Sequence, residues 1–393
     1  MVSIASSLYF FGIYPFAVRI PSLIFSAFTI FLTFLIGRKL FNRNIGLWAA
    51  FLYAINGFLI EAASGRIATD HVDTLLIFLI TLGIYLVIVS KKRNKWYIHF
   101  SIGVVIGLGL LTKSFPALII LPGWFYVHFN SKNKWSFIWY LCCLVVPALI
   151  LYIPWQLYIH HEYPLEAAWE QKVGLMHFTQ VIEGHSGGWF YYFHKMRIIF
   201  GELVYLPVLY FIWKTINLKS SFTHIFLLIW IALPYLVFTM AKTKMPGYVM
   251  IAAPAMFIVI GLFIEKLRHT TFQYEWIRYL ILFLLIALPI RYCIERVKPF
   301  QKSDYPTQWI YNIKDLDKEI ANKKRVLFNF QYPIEAMFHS DFVAYSYMPD
   351  DVVIERLMGE GYQIYVHYEA KECADIEMKE GINCINLLSE RNQ

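Results

Sequence analysis

Nine consecutive residues, Gly65-Arg66-Ile67-Ala68-Thr69-Asp70-His71-Val72-Asp73, hold two carboxylates, an imidazole and a guanidinium between apolar runs. Asp70 and Asp73 can take a proton from a hydroxyl or hold a divalent cation, while Arg66 and His71 can orient a polar substrate. A local use competes: either aspartate is placed to cap the helix that follows. Lys113 stands alone in Leu111-Thr112-Lys113-Ser114-Phe115-Pro116, between two apolar runs and just before a helix-stopping proline. A single ammonium there suits a phosphate, or it snorkels to the membrane surface. Lys242 and Lys244, in Lys242-Thr243-Lys244-Met245-Pro246-Gly247-Tyr248, make a second anion-binding corner before a Pro-Gly break. Tyr248 is then either its aromatic wall or an interfacial anchor.

A fourth polar region follows Pro154-Trp155. Glu183 and His185 lie there beside Gly187-Gly188 and the aromatic run Trp189 to Tyr192. Flat rings of this kind suit a sugar or an isoprenoid, so this stretch reads as a substrate rim. Glu162, Glu166 and Glu170 recur every four residues, the spacing of a solvated helix face. His beside carboxylate also admits a divalent metal, but no fixed ligand spacing demands one and no cofactor is certain.

The elements that must carry these residues are apolar. The 393 residues are 58% hydrophobic and 16% charged, against about 25% charged in an ordinary soluble domain. Charge is unevenly divided: residues 1–300 carry 25 Lys and Arg against 11 Asp and Glu, the rest 10 against 16. The bases sit in short gaps rather than on a stripe interleaved with exposed aromatics, which excludes a nucleic-acid partner. Ten runs approach the roughly 20 apolar residues that span a bilayer: 17–36, 45–61, 74–90, 97–112, 115–129, 136–155, 198–213, 223–240, 247–264 and 277–291. Lys and Arg collect in alternate gaps, around Arg38–Arg43, Lys91–Lys95, Lys132–Lys134, Lys214–Lys219 and Lys266–Arg278. The positive-inside rule makes those gaps cytoplasmic. Both termini and all four polar clusters then face outward.

The expected fold is a membrane all-α, polytopic bundle of about ten transmembrane helices over 1–299, followed by a small extracytoplasmic α/β domain over 300–393. In that domain β-rich runs (325–330, 342–345, 363–367, 383–387) alternate with helical stretches such as 350–358, and no glycine-rich phosphate loop follows a strand. Cys142 and Cys143 read as buried apolar residues, and Cys373 and Cys384 are placed for a disulfide in an oxidising compartment.

In this order and on this side, the pieces resemble the membrane-embedded C-type glycosyltransferases of family 39. These include the protein O-mannosyltransferases and the bacterial transferase that adds aminoarabinose to lipid A. The matching pieces are FAVRIPS (16–22), GRIATDHVD (65–73), LTKSFP (111–116), PWQLYI (154–159) and TKMPGY (243–248), spread over about residues 10–265. The resemblance implies transfer of a sugar from a polyprenyl-phosphate carrier to a protein, lipid A or glycan acceptor outside the cytosol of a bacterial inner membrane. It implies that Lys113 and Lys244 hold the carrier phosphate, and that Asp70 or Asp73 is the acid after the second span. In the family an earlier helix and an Asp-Glu loop supply the presumed base. Here Met1 stands just before the family's second helix and no acid precedes Glu61. The resemblance therefore implies a chain shortened at its N-terminus. Two readings compete with the transferase: an inactive relative that binds the lipid-linked sugar, and a flippase.

Overall fold

The computed structural model describes residues 2–65, 72–129, 133–217, 221–271, 273–301, 308–320, 324–368 and 381–388. By contacts the chain forms two compact units, Met1–Ile4 with Arg19–Pro299 and Ala5–Val18 with Phe300–Gln393. The helices before residue 170 are α1 (Val2–Phe11), α2 (Pro15–Leu40), α3 (Arg43–Ala54), α4 (Gly57–Ser64), α5 (Val72–Lys92), α6 (Trp96–Lys113), α7 (Ile120–His128), α8 (Lys134–Glu162) and α9 (Pro164–Thr179). The bundle continues with α10 (Tyr191–Phe200), α11 (Tyr205–Asn217), α12 (Phe222–Met240), α13 (Ala253–Arg268) and α14 (Glu275–Val297). Apolar side chains in long runs make these segments helical, and polar residues set their ends. Asn42 and Asn56 cap α3 and α4 by accepting from the amides of Ile45 (2.9 Å) and Leu59 (3.1 Å).

The protein is an integral, multi-pass membrane protein. Among the described residues seven helices are long and apolar enough to cross a bilayer: α2, α5, α6, α8, α12, Pro246–Arg268 and α14. The count rises to nine if α3 with α4, bent by 58°, and α10 with Glu202–Asn217, bent by 118°, each make one span. The expected ten is corrected at 115–129, which forms five residues of 3-10 helix (Phe115–Ile119) and nine of α7. The 3-10 turns rise about 2 Å per residue rather than 1.5. The short segment therefore reaches the far ends of its neighbours: Trp124 donates to His99 Nδ1 (2.9 Å) near the start of α6, and His128 meets Ser90 (2.8 Å) near the end of α5. The bases expected inside gather at that same end. Lys39 lies in range of Lys92 and Arg93, Lys214 in range of Lys266, and Lys91 stands 3.0 Å over the Phe222 ring.

Helix α13 is the buried centre of the bundle, with Ala253, Ala255, Met256, Ile258 and Ile264 fully enclosed. Helices α6 and α8 touch backbone to backbone: a Cβ at Gly103 would stand 2.0 Å from the carbonyl oxygen of Leu144. The three glutamates expected on one helix face divide, because the chain breaks at Tyr163 between α8, which ends at Glu162, and α9, which carries Glu166 and Glu170. All three are exposed.

The tail contains α15 (Gln308–Glu319), β1 (Arg325–Phe328), α16 (Pro333–His339), β2 (Val343–Ala344), α17 (Asp351–Gly359), β3 (Gln363–His367) and β4 (Ile382–Ile385). The sheet is parallel throughout, in the order β2-β1-β3-β4. Side chains alternate between two cores, as period-two strands require. Leu327 and Tyr365 pack with Trp309 and Ile313 of α15, and Val326, Phe328, Ile364 and Val366 pack with Ile354 of α17. Cys384 is disulfide-bonded, and Cys373, its expected partner, lies outside the described residues.

Candidate active site

Antiparallel packing of α5 and α6 brings the start of one against the end of the other. Asp73 lies in the first turn of α5 and Lys113 is the last residue of α6. These positions put a carboxylate at the positive end of one helix dipole and an ammonium at the negative end of the next. The two meet: Lys113 Nζ donates to Asp73 Oδ1 at 2.6 Å, with side chains 30% and 24% exposed. Both also make further contacts. The pair is thus neither in bulk water nor sealed, so its attraction is strong and still open to exchange with another anion.

Directly after Lys113 the backbone is strained. Ser114 has φ 58° and ψ −129°, outside the regions a residue with a Cβ ordinarily occupies. Such a conformation costs about 1–3 kcal/mol. It turns the chain from α6 into the 3-10 helix at Phe115.

The TKMPGY segment reaches the same place. Gly247 is the second residue of the 3-10 helix Pro246–Ala252, and a Cβ there would lie 3.5 Å from Asp73 Oδ2. The segment thus lies at van der Waals range of the carboxylate. Lys244, by contrast, is 5% exposed and donates from Nζ to the carbonyls of Thr239 (2.6 Å) and Ala241 (2.8 Å), at the end of α12. Burial, and then the nearby charge of Lys242, hold its ammonium below the ordinary lysine value.

The long outward segment is strapped to this one. The amides of Lys242, Thr243 and Lys244 donate to the carbonyls of Phe178 (3.2 Å), His177 (3.0 Å) and His185 (2.9 Å). The fully buried Thr243 hydroxyl donates to the Gln180 carbonyl (2.9 Å) and accepts from the Ile182 amide (3.1 Å). Tyr248 Oη lies 3.3 Å from His177 Nδ1. Glu183 (φ 52°) and Gly184 (φ 73°) make the left-handed turn that brings His185 back. The side chains of Glu183 and His185 are exposed.

Asp73, Lys113 and the 242–248 segment are therefore brought together, with the strap tied on through its backbone. Arg66, Asp70 and His71 lie outside the described residues. The edge of their loop is fixed by Gly65, which closes α4 in a left-handed conformation (φ 65°) and accepts from Arg19 Nη2 (3.3 Å). A Cβ at Gly65 would stand 1.8 Å from the Arg19 guanidinium carbon. Among the described residues no three His, Cys, Asp or Glu side chains gather as metal ligands.

Two contacts escaped sequence reasoning. Glu61, 3% exposed in its side chain, pairs with Arg296 at 2.7 Å and ties α4 to α14. The Tyr292 hydroxyl donates to Glu202 Oε1 at 2.7 Å one turn earlier on α14. The available signal was an ionisable residue inside an apolar run, which marks function or a partner by default. Nothing in sequence named the partner.

A family model described as dolichyl-phosphate-mannose-protein mannosyltransferase matches residues 3–158. An undecaprenyl phosphate-alpha-4-amino-4-deoxy-L-arabinose arabinosyl transferase of Pseudomonas aeruginosa (strain LESB58) is 26% identical over 272 residues, covering 66% of this chain and 48% of its own length. One from Pseudomonas fluorescens (strain Pf0-1) is 27% identical over 269 residues, covering 64% and 44%. The chain spans about half the length of the curated relatives it matches. Among solved structures, ArnT from Cupriavidus metallidurans bound to undecaprenyl phosphate superposes over 97% of this chain and 78% of its own, with a TM-score of 0.60 at 13% identity. The archaeal oligosaccharyltransferase AglB from Archaeoglobus fulgidus does so over 84% and 54%, with a TM-score of 0.52 at 13% identity. These two likenesses are of fold. In sequence the chain is similar to polyprenyl-phosphate sugar transferases, and the similarity runs to the arabinosyl transferases.

Proposed function

We propose that the protein transfers a sugar from a polyprenyl-phosphate carrier to a protein, lipid A or glycan acceptor on the extracytoplasmic face of a bacterial inner membrane. The observation that carries this reading is the Lys113–Asp73 pair at 2.6 Å, with the Gly247 segment closing in on it. It supports the reading because an ammonium suited to a departing phosphate lies within reach of a carboxylate able to handle a hydroxyl proton. Nucleotide sugars are confined to the cytosol, so a donor used outside must come on a lipid.

In the reaction a carboxylate takes the acceptor's hydroxyl proton and the oxygen bonds to the anomeric carbon. The bond from that carbon to the phosphate oxygen breaks, its electron pair leaving with the carrier, and configuration inverts. An in-line displacement needs base and leaving group on opposite faces of the sugar. Asp73 therefore either parts from Lys113 as substrate enters, or aims Lys113 while Asp70 serves as base. Lys113 makes the direct phosphate contact, and a charge-assisted hydrogen bond of this kind contributes roughly 1.5–3 kcal/mol. Lys244, committed to two carbonyls, holds the Gly247 segment in position. Lys242 and Tyr248 complete the donor side of the pocket and Glu183 and His185 its acceptor rim, and the sequence adds Arg66 and His71 as substrate-binding residues.

The test is incubation of membranes with radiolabelled prenyl-phosphate sugars. Label passing to a macromolecule, abolished by Asp70→Asn or Asp73→Asn, supports the transferase and names the base. Carrier binding without transfer would identify an inactive relative instead, and movement of intact donor across vesicles a flippase.

A further inference from the structure

The tail sheet has the strand order of a doubly wound fold. From β1 the chain passes to β2 on one side through α16, and from β2 it returns through α17 to β3 on the other. The two helices cover opposite faces, since Ala336 of α16 belongs to one core and Ile354 of α17 to the other. The connections therefore diverge between β1 and β3. In open parallel sheets, ligands settle beyond the carboxyl ends of the strands at such a divergence.

That rim is built in a particular way. Asn329, the first residue after β1, takes a left-handed conformation (φ 57°), which Asn tolerates better than most residues. Its Nδ2 donates to the His367 carbonyl at the end of β3 (3.0 Å). This fixes the amide of the half-buried Asn329 across the mouth of the divergence. Beyond the formal strand ends, the Asn329 and Phe330 amides donate to the carbonyls of Tyr347 (3.3 Å) and Tyr345 (3.1 Å), keeping the two exits together. Buried Phe328 stacks on Tyr345 (5.4 Å, 18°), which lies 5.5 Å from Tyr347. The three rings form a ladder from the core to the surface, where Tyr347 is 58% exposed.

Charge selects the ligand class. No Lys or Arg occurs in residues 329–332, 345–348, 368 or 386–388, which follow the four strands. Lys324 and Arg325 stand at the opposite, amino edge of the sheet, and Arg325 is paired with Asp317 and Asp341. Among the described residues that follow the strands there is thus no cation and no glycine-rich phosphate loop to hold an anion, while Lys371, Lys379 and Arg391 lie outside them. Asn329, Gln331, Tyr345, Tyr347, Tyr368 and Asn386 supply aromatic faces and neutral hydrogen-bonding groups, the chemistry that recognises polyhydroxylated rings.

We propose that the carboxyl rim of the tail sheet, at the β1–β3 divergence, binds neutral, unphosphorylated glycan. The proposal does not draw on the Lys113 pocket and stands whether or not that pocket transfers sugar.

The test is saturation-transfer NMR on the full-length protein in nanodiscs, with mannotriose and chitotriose as neutral probes and glucose 1-phosphate as the anionic one. At least one neutral trisaccharide receives saturation, and the signal falls at least fivefold in Tyr347→Ala and in Asn329→Gly, which preserves the left-handed turn. It is unchanged in Lys113→Ala and in Tyr311→Ala, an exposed tyrosine on α15. Tyr347 is solvent-facing, so its truncation leaves the fold intact, as tail thermal melting will check. Absence of any neutral signal, persistence of the signal in Tyr347→Ala, transfer to glucose 1-phosphate alone, or loss of the signal with Lys113→Ala would each overturn the proposal.

Discussion

Lys113 and Lys244 occupy like settings in sequence, each after a threonine and before a proline, yet the fold gives them opposite circumstances. The Lys113 ammonium meets a side chain, half in solvent, at the end of a helix whose next residue is strained. The Lys244 ammonium is enclosed and faces main-chain carbonyls. A carboxylate can swing away and yield its cation to a phosphate, whereas carbonyls at a helix end cannot. In the proposed function, identical chemistry would serve exchange in one corner and construction in the other.

Lys113→Ala should break the comparison hardest. The rate of transfer from a labelled prenyl-phosphate sugar is expected to drop at least tenfold, and an unchanged rate would take Lys113 out of the site. Lys244→Met should cost about 1–3 kcal/mol of stability by stranding two carbonyls, read as a lower midpoint of unfolding in detergent. Its rate per folded molecule should fall less than threefold, and a loss as large as that of Lys113→Ala would erase the distinction. Ser114→Gly should relieve strain and stabilise the protein by about 1 kcal/mol, measured by the same midpoint.

A pH series sharpens the contrast further. Lys244 is held below 10.5 in the folded protein by burial and by Lys242, so it sheds its proton before the unfolded chain does. The charged form is the one the fold penalises. The wild-type advantage over Lys244→Met should therefore widen as pH rises from the lowered value towards 10.5, and shrink on acidification. The smallest effect is expected at Glu166, exposed on α9, where Ala should leave transfer within experimental error.

Much of this was legible beforehand because it follows from local rules. Alternate basic gaps separated the two ends of the bundle, and β-rich runs placed all four tail strands to within a few residues. The convergence of Asp73, Lys113 and Gly247 was foreshadowed only as three clusters on one side. What stayed hidden depends on tertiary partners: the backbone bonds tying 177–185 to 242–244, and the Glu61–Arg296 pair. Lys244 read as an anion-binding residue because sequence reports a charge but not the carbonyls that a helix end turns towards it. The run at 115–129 read as one more span because apolar length is visible in sequence but its division into a 3-10 turn and a nine-residue helix is not.

The length of α8 has its own consequence. Its 29 residues measure about 44 Å at 1.5 Å each, against a hydrocarbon layer of about 30 Å. The surplus is about two and a half turns, and α9, which begins two residues after α8 ends, is carried at its tip. The elevation of the strap is thus set by a ruler planted in the bilayer: removing one turn near Tyr158 would lower the hinge by about 5 Å and slacken every bond from 177 to 185 together.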